Sequence, residues 1–447
     1  MYRKSSMLLL IVSVVAVIIV LLSLLRLPVG PTPDSKAGGK QAVLPPSGEK
    51  ASEPQTITVS VSLPKDQFQD LEKSAERFME QNPSITVELS NIEQNDAYDQ
   101  WKKDGQLGNG PDAALMDNAW VREFAVLGYL KPLDAMMSSM TDAWLDGLAD
   151  AVNWNGYWWG IPKDADPLVS VWSLPLLDTL TSKGVPGNWG SFVQLAVSAG
   201  TSAPKVPIVH WEDDQSEQML VWLDSFATDG QKAEQLKPFD EGMLKRLDFL
   251  AKGDGTAFTI SRSHDSKLAD KLADGKLLSA VMRWSDYEHL SPELQSLIGV
   301  GYPHGWYGGR SFVVFAHSEG KEEALKRWMH HMASEPEQQA TFDQYGLLPV
   351  IKPIYTQFQG QQQDLEGSRR GSKLWLDDLS LKPSQTPDPA WPRRLERWQE
   401  LWEGSDGAGD WLERLVQQWR VLEPEGNLSD GEQANRNHTE NSSAISS

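Results

Sequence analysis

Tryptophan and carboxylate meet repeatedly along this chain, and those meetings define the chemistry to consider. Asp117 and Asn118 stand just before Trp120, Trp211 precedes Glu212, Asp213 and Asp214, and Asp286 follows Trp284. Asp164 and Asp166 flank an alanine, while Trp306 and Trp391 fall in a predicted loop and at a predicted helix start. An indole offers an apolar, electron-rich face on which the C–H groups of a sugar ring can stack, and nearby carboxylates and amides accept from its hydroxyls. Asp117, Asn118, Trp120, Asp164, Trp211, Trp284, Asp286, Trp306 and Trp391 are therefore the candidate ligand-binding residues. There are 19 tryptophans in all, and most such residues pack cores. Trp328, Trp398 and Trp402 recur at helical spacing and read as packing residues.

Other chemistries find less support. The chain has no cysteine, which removes disulfides, thiolate metal sites and cysteine nucleophiles. No G-x-S-x-G, H-E-x-x-H or Walker A pattern occurs, and Gly299, Gly301 and Gly305 miss dinucleotide-loop spacing. His330 and His331 are adjacent on a predicted helix and cannot both face one metal. The Glu212–Asp214 run reads as a solvated face, since no EF-hand spacing accompanies it. No catalytic residue, metal or cofactor is expected, although the two carboxylates of a glycoside hydrolase would leave no short signature. A net charge of −21 argues against binding to nucleic-acid backbones.

These residues need elements to position them. Thr56–Leu63 alternates β-branched residues as a strand, Asp66–Gln81 spaces Phe68, Leu71, Ala75 and Phe78 along a helix, and Ile85–Leu89 is a second strand. Ala113–Met116 is a buried strand whose exit leads into a helix ended by Gly128. Repeated strand-helix units predict a mostly parallel sheet with helices outside. Asn155-Gly156 predicts a hairpin turn, and Pro162–Pro167 a polar, extended hinge. Leu277–Met282 predicts a strand with Arg283, Trp284, Ser285 and Asp286 just past its end. Strand-end loops line the ligand crevice of open α/β sheets. At 447 residues the chain suits two lobes with a cleft.

Outside that body, Arg3 and Lys4 precede an apolar run from Met7 to Leu25, long enough for a transmembrane helix with its remainder outside the cell. Cleavage as a signal peptide is the alternative. Residues 28–55 read as a disordered linker and 425–447 as a disordered tail.

Several segments resemble family 1 extracellular solute-binding proteins, the maltose-binding-protein-like receptors of ABC importers. The resemblance is carried by Gly110–Asp134, Ala151–Asp178, Asn188–Phe192, Ser266–Tyr287 and Ser334–Val350, in family order. It implies a two-lobed α/β periplasmic-binding-protein-like fold of type II, preceded here by a transmembrane helix. The expected lobes are 56–163 plus 299–350 and 164–298 plus 351–424, joined by three crossings. It further implies a monomer that binds a carbohydrate ligand without turning it over and presents it to an ABC permease. Trp284 becomes the leading stacking residue on this resemblance, because the family often has an aromatic there. A membrane-tethered sugar sensor and, less so, a glycoside hydrolase are the alternatives.

Overall fold

The computed structural model describes residues 53–137, 141–180, 184–201, 205–226, 241–301, 308–355, 391–405 and 410–422. The expected anchor, the linker before residue 53, Trp306 and the tail lie outside them. Among the described residues no helix is long and apolar enough to cross a membrane.

The strands are β1 (Gln55–Val61), β2 (Ile85–Asn91), β3 (Ala113–Asp117), β4 (Asn153–Trp154), β5 (Tyr157–Trp158), β6 (Ile161–Asp164), β7 (Leu168–Ser173), β8 (Pro207–Trp211), β9 (Thr259–Arg262), β10 (Ser279–Arg283), β11 (Ile298–Gly301) and β12 (Arg310–Val314). Ten of them form two five-stranded sheets, ordered β2-β1-β3-β12-β6 and β11-β7-β10-β8-β9, and β4 and β5 pair as a separate two-stranded hairpin. In the first, β1 runs parallel to β2 and β3, but β12 is antiparallel to both β3 and β6. In the second, β8 is parallel to β9 and β10, whereas β7 is antiparallel to β10 and β11. Each sheet is thus mostly parallel, as expected, with a single reversed strand, β12 or β7, that arrives from the other sheet. Residues 299–301 also belong to the second sheet through β11, so the first sheet regains the chain after Gly301.

The helices used below are α1 (Lys65–Gln81), α2 (Ala97–Leu107), α3 (Asn118–Val126), α4 (Trp189–Thr201), α5 (Glu217–Asp224), α6 (Glu241–Gly253), α7 (Trp284–Glu288), α8 (Glu322–Met332), α9 (Glu335–Tyr345), α10 (Trp391–Gly404) and α11 (Trp411–Leu422). On one face of the first sheet, Leu71, Ala75 and Phe78 of α1 and Trp328 and Met329 of α8 cover Ile57, Val59 and Phe312. Phe78 meets Trp328 edge-on at 5.3 Å. On the opposite face Trp101 of α2 and Val121 and Phe124 of α3 pack on Ala114, Met116 and Val313. Strand alternation sends successive residues of β3 to these two cores.

Tryptophan dominates the second lobe's core. Trp172, Trp211, Trp222, Trp398, Trp402 and Trp419 join Phe192 and Phe226 in one cluster, so α10 and α11 are fastened to the second sheet by their indoles. The expected packing roles of Trp328, Trp398 and Trp402 agree with their complete burial.

Local signals behave as the sequence predicts in several places. Asn155 and Gly156 take positive φ of 55° and 79°, the combination a tight two-residue hairpin turn requires. Gly128, at φ 74°, lets Tyr129 N reach Phe124 O at 3.0 Å and closes the last turn of α3. The segment read as a polar, extended hinge is extended, since residues 161–164 form an edge strand, but residues 161–165 are buried.

Candidate functional site

The strand ends of both sheets bring charge together. Register places Arg310, the first residue of β12, opposite both Asp117 at the end of β3 and Asp164 at the end of β6. Asp164 and Arg310 make a two-pronged pair, with Nε–Oδ1 at 3.0 Å and Nη2–Oδ2 at 2.6 Å. The fork geometry of guanidinium and carboxylate favours this arrangement, and Asp164 is spent on it. Two residues on, Asp166 turns to the second sheet. It accepts from Ser285 N at 3.0 Å and Ser285 Oγ at 2.9 Å, with Arg283 Nη1 at 3.9 Å.

Asp117 occupies the N-cap of α3, accepting from Ala119 N at 2.8 Å. An N-cap carboxylate satisfies one orphan donor of the first turn, which leaves its second oxygen uncommitted. No further hydrogen bond to Asp117 occurs among the described residues. Burial pushes the Asp117 carboxyl above the usual range, opposed by the Ala119 N–H and by Arg283. Burial does the same to Asp166, again against Arg283. A carboxyl shifted this way donates when protonated and accepts when ionised, a versatility suited to hydroxyl-bearing solutes.

The other sequence candidates divide sharply. Asn118 is 5% exposed and wholly engaged: its Oδ1 accepts from Ser311 Oγ at 2.5 Å, its Nδ2 donates to Gly308 O at 3.3 Å. Trp120 is half-buried and packs edge-on against Tyr98 at 5.3 Å and Trp101 at 6.1 Å. Trp211 ends a central strand facing inward, and at 0% exposed it shows no ring face to solvent. Trp284 is 1% exposed, packed beside Tyr287 at 5.5 Å, because α7 begins at this residue and turns the indole into the core. The expected loop is a helical turn, and the leading stacking residue is a packing residue. Asp286 is exposed on that turn. Trp391 opens α10, with its side chain outside the described part of the structure.

Glu212 departs from the expected solvated face. It is 8% exposed, accepts from Asp265 N at 3.2 Å, and faces His264 Nδ1 at 3.2 Å and His210 Nε2 at 3.5 Å. Asp214 alone of the run is exposed. Sequence reasoning missed Arg310 and Lys163. Their signal was present as the single cation in each of two short strands, RSFVV and IPKD.

A family model described as bacterial extracellular solute-binding protein matches residues 73–363, more than half of the chain. Comparison with curated proteins gives no match by sequence. Among solved structures, the sugar-binding protein MalE of Xanthomonas citri aligns with a TM-score of 0.62 at 18% identity, covering 83% of this chain and 98% of that one. The GacH receptor of Streptomyces glaucescens, solved unliganded and with acarbose, gives 0.58 at 18% identity over 82% and 98% of the two chains. The Bifidobacterium longum protein solved with lacto-N-biose gives 0.57 at 18% identity over 82% and 96%. These likenesses establish the two-lobed fold.

Proposed function

The chain belongs to the bacterial extracellular solute-binding proteins, and on that premise we propose that it captures a sugar or oligosaccharide between its two sheets for an ABC importer. The observation that carries the reading is Asp117, a strand-end carboxyl with one oxygen uncommitted among the described residues, beside Arg283 and Arg310 from different sheets. The sugars named with the GacH and B. longum structures support the solute class.

In this reading Asp117, Asp286 and the half-buried Trp120 touch the solute, while the candidates Trp306 and Trp391 have side chains outside the described part of the structure. Asn118, Asp164, Trp211 and Trp284 stand behind them as positioning residues. The lobes divide at Asp164 and again after Gly301, because β11 pairs within the second sheet. Closure buries the solute, and the solute favours the closed form in proportion to its preference for that state. A permease then reads the closed form, and no covalent chemistry is involved.

The body is extracytoplasmic, as the family is. The proposal extends to an uncleaved Met7–Leu25 anchor, supported by the run's length and by Arg3 and Lys4 before it. A monomer is part of the same reading.

The test is calorimetric titration with a panel of mono- and oligosaccharides, amino acids and peptides. Saturable binding of one sugar class is expected, weakened about 10- to 100-fold in Asp117→Asn, the loss of a hydrogen bond to a charged group. Binding of amino acids or peptides alone would refute the sugar assignment.

A further inference from the structure

Lys163 is a buried cation without a counter-charge. It is 5% exposed, and its Nζ donates to Thr341 Oγ1 at 3.1 Å. An ammonium has three protons to give, and no other hydrogen bond or ion pair involves this one among the described residues. Thr341 Oγ1 in turn donates to Glu337 O at 2.7 Å, so it offers Lys163 only a lone pair.

The amine lines a cavity of about 200 Å³ between α1, the first sheet and α9. Every other charge on its wall is matched. From α1, Asp70 pairs with Lys73 at 2.7 Å and Arg77 with Glu337 of α9 at 2.9 Å. From the sheet, Asp164 of β6 pairs with Arg310 of β12 at 2.6 Å. The Tyr345 hydroxyl donates to Asp70. Three carboxylates thus answer three cations, and Lys163 is left as a single unanswered positive charge. The rest of the wall includes Leu71, Leu115, Phe312 and Met332, all buried hydrophobic side chains. Removing a lone cation from water is costly, so it sheds its proton or recruits an anion.

We propose that this cavity, which borders the interlobe solute site at Asp164 and Arg310, is a second binding site that takes a short-chain monocarboxylate. The carboxylate sits on Lys163 Nζ, and its hydrocarbon lies against Leu71, Leu115 and Phe312. One negative charge neutralises the cavity, whereas a dianion leaves it in excess. The volume exceeds the ~30 Å³ share of a single water several-fold, which leaves room for a few carbons. Arg310 Nη1, engaged among the described residues only by Gln67 Oε1 at 3.4 Å, is a second donor on the same wall. Burial lowers the Lys163 pKa, opposed by Asp164 and Glu337, so affinity falls as pH rises through that lowered value.

The experiment is a thermal melt of the full chain at constant ionic strength with acetate, propionate and inorganic phosphate, in wild type, Lys163→Met and Ala340→Phe. Ala340 is an exposed rim residue, so the larger side chain blocks the cavity without disturbing a core. Wild type is expected to show a saturating rise in melting temperature with propionate. Both variants should need at least tenfold more propionate for the same rise, while any sugar response of Ala340→Phe stays at the wild-type level. Absence of a saturable propionate response in wild type overturns the proposal, as does an equal response in Ala340→Phe. An equal response to phosphate overturns the monocarboxylate assignment. Should Lys163→Met fail to fold, Ala340→Phe decides alone.

Discussion

Glu288, the last residue of α7, permits a quantitative test of how this fold handles buried charge. Its Oε1 is buried and meets no hydrogen-bond partner, and Gly346 lies close enough that an added Cβ there would stand 3.0 Å from the Glu288 Cβ. Burial pushes its carboxyl from 4.5 up to about 7, opposed only by the charge on His289. Because the folded value is raised, the contribution to stability is complete below pH 4.5 and disappears as pH climbs through about 7. At 1.36 kcal/mol per pKa unit the loss is on the order of 3 kcal/mol. Glu288→Gln abolishes the titration, so the variant should equal wild type near pH 4.5 and exceed it by ~2–3 kcal/mol at pH 8.

His289 complicates the reading. Backbone carbonyls of Ser285 and Gln344 accept from its ring and raise its pKa above 6.5, so its contribution also declines as pH rises from that value. The informative quantity is therefore the difference between variant and wild type, in which His289 largely cancels. Urea denaturation at half-unit intervals from pH 4.5 to 8.5 supplies it. Parallel curves for the two proteins across that range would refute the buried-carboxyl argument.

Three further outcomes follow from named contacts. Asp112, 5% exposed, holds its pKa below 3.8 because bonds from Lys321, Thr58 and Ser318 outweigh the effect of burial. Its contribution is present above 3.8 and fails as pH falls, so Asp112→Asn should cost about 2–3 kcal/mol at pH 7 and flatten the acid limb of a denaturation series. Trp222 is fully buried, meets Phe192 and Phe226 at 4.9 Å each, and donates to Ser279 Oγ at 3.2 Å. Trp222→Ala should cost about 3–5 kcal/mol by chemical denaturation. Gly128→Ala meets nothing within 4 Å of the new Cβ, so its cost, about 1–2 kcal/mol by thermal melting, comes from φ 74° alone.

Much of the frame was legible because it rests on local physics. The alternation of Ile57, Val59 and Val61, the Phe78 face of α1, the Asn155-Gly156 turn and the Gly128 stop each act within a few residues. The tryptophans were less legible, since a strand or helix end can turn an indole either way and only tertiary packing decides. Trp211 and Trp284 turned inward. Arg310 was illegible as a site residue because its meaning depends on Asp117 and Asp164, which lie far away in sequence and become neighbours only when β12 enters between β3 and β6.

That same pairing bears on the proposed joint between the lobes. Asp164 is locked to the first sheet by Arg310, at 2.6 and 3.0 Å. Asp166 is locked to the second by both the N–H and the hydroxyl of Ser285, and Trp284 N donates to Pro167 O at 2.8 Å. Between these anchors stands Ala165, whose only described backbone bonds are the reciprocal pair to Leu348, N to O at 2.9 Å and O to N at 2.8 Å. A rotation of one sheet against the other must be absorbed where neither anchor holds, and a two-bond bridge permits twisting about its own axis. Within the segment that sequence suggested as an extended polar hinge, one alanine thus stands between two aspartates that are each bonded to a different sheet. Under the proposed closure, a turn about Ala165 and Leu348 carries Asp166 and Ser285, which are bonded to each other, together with Arg283 as one body relative to Asp117.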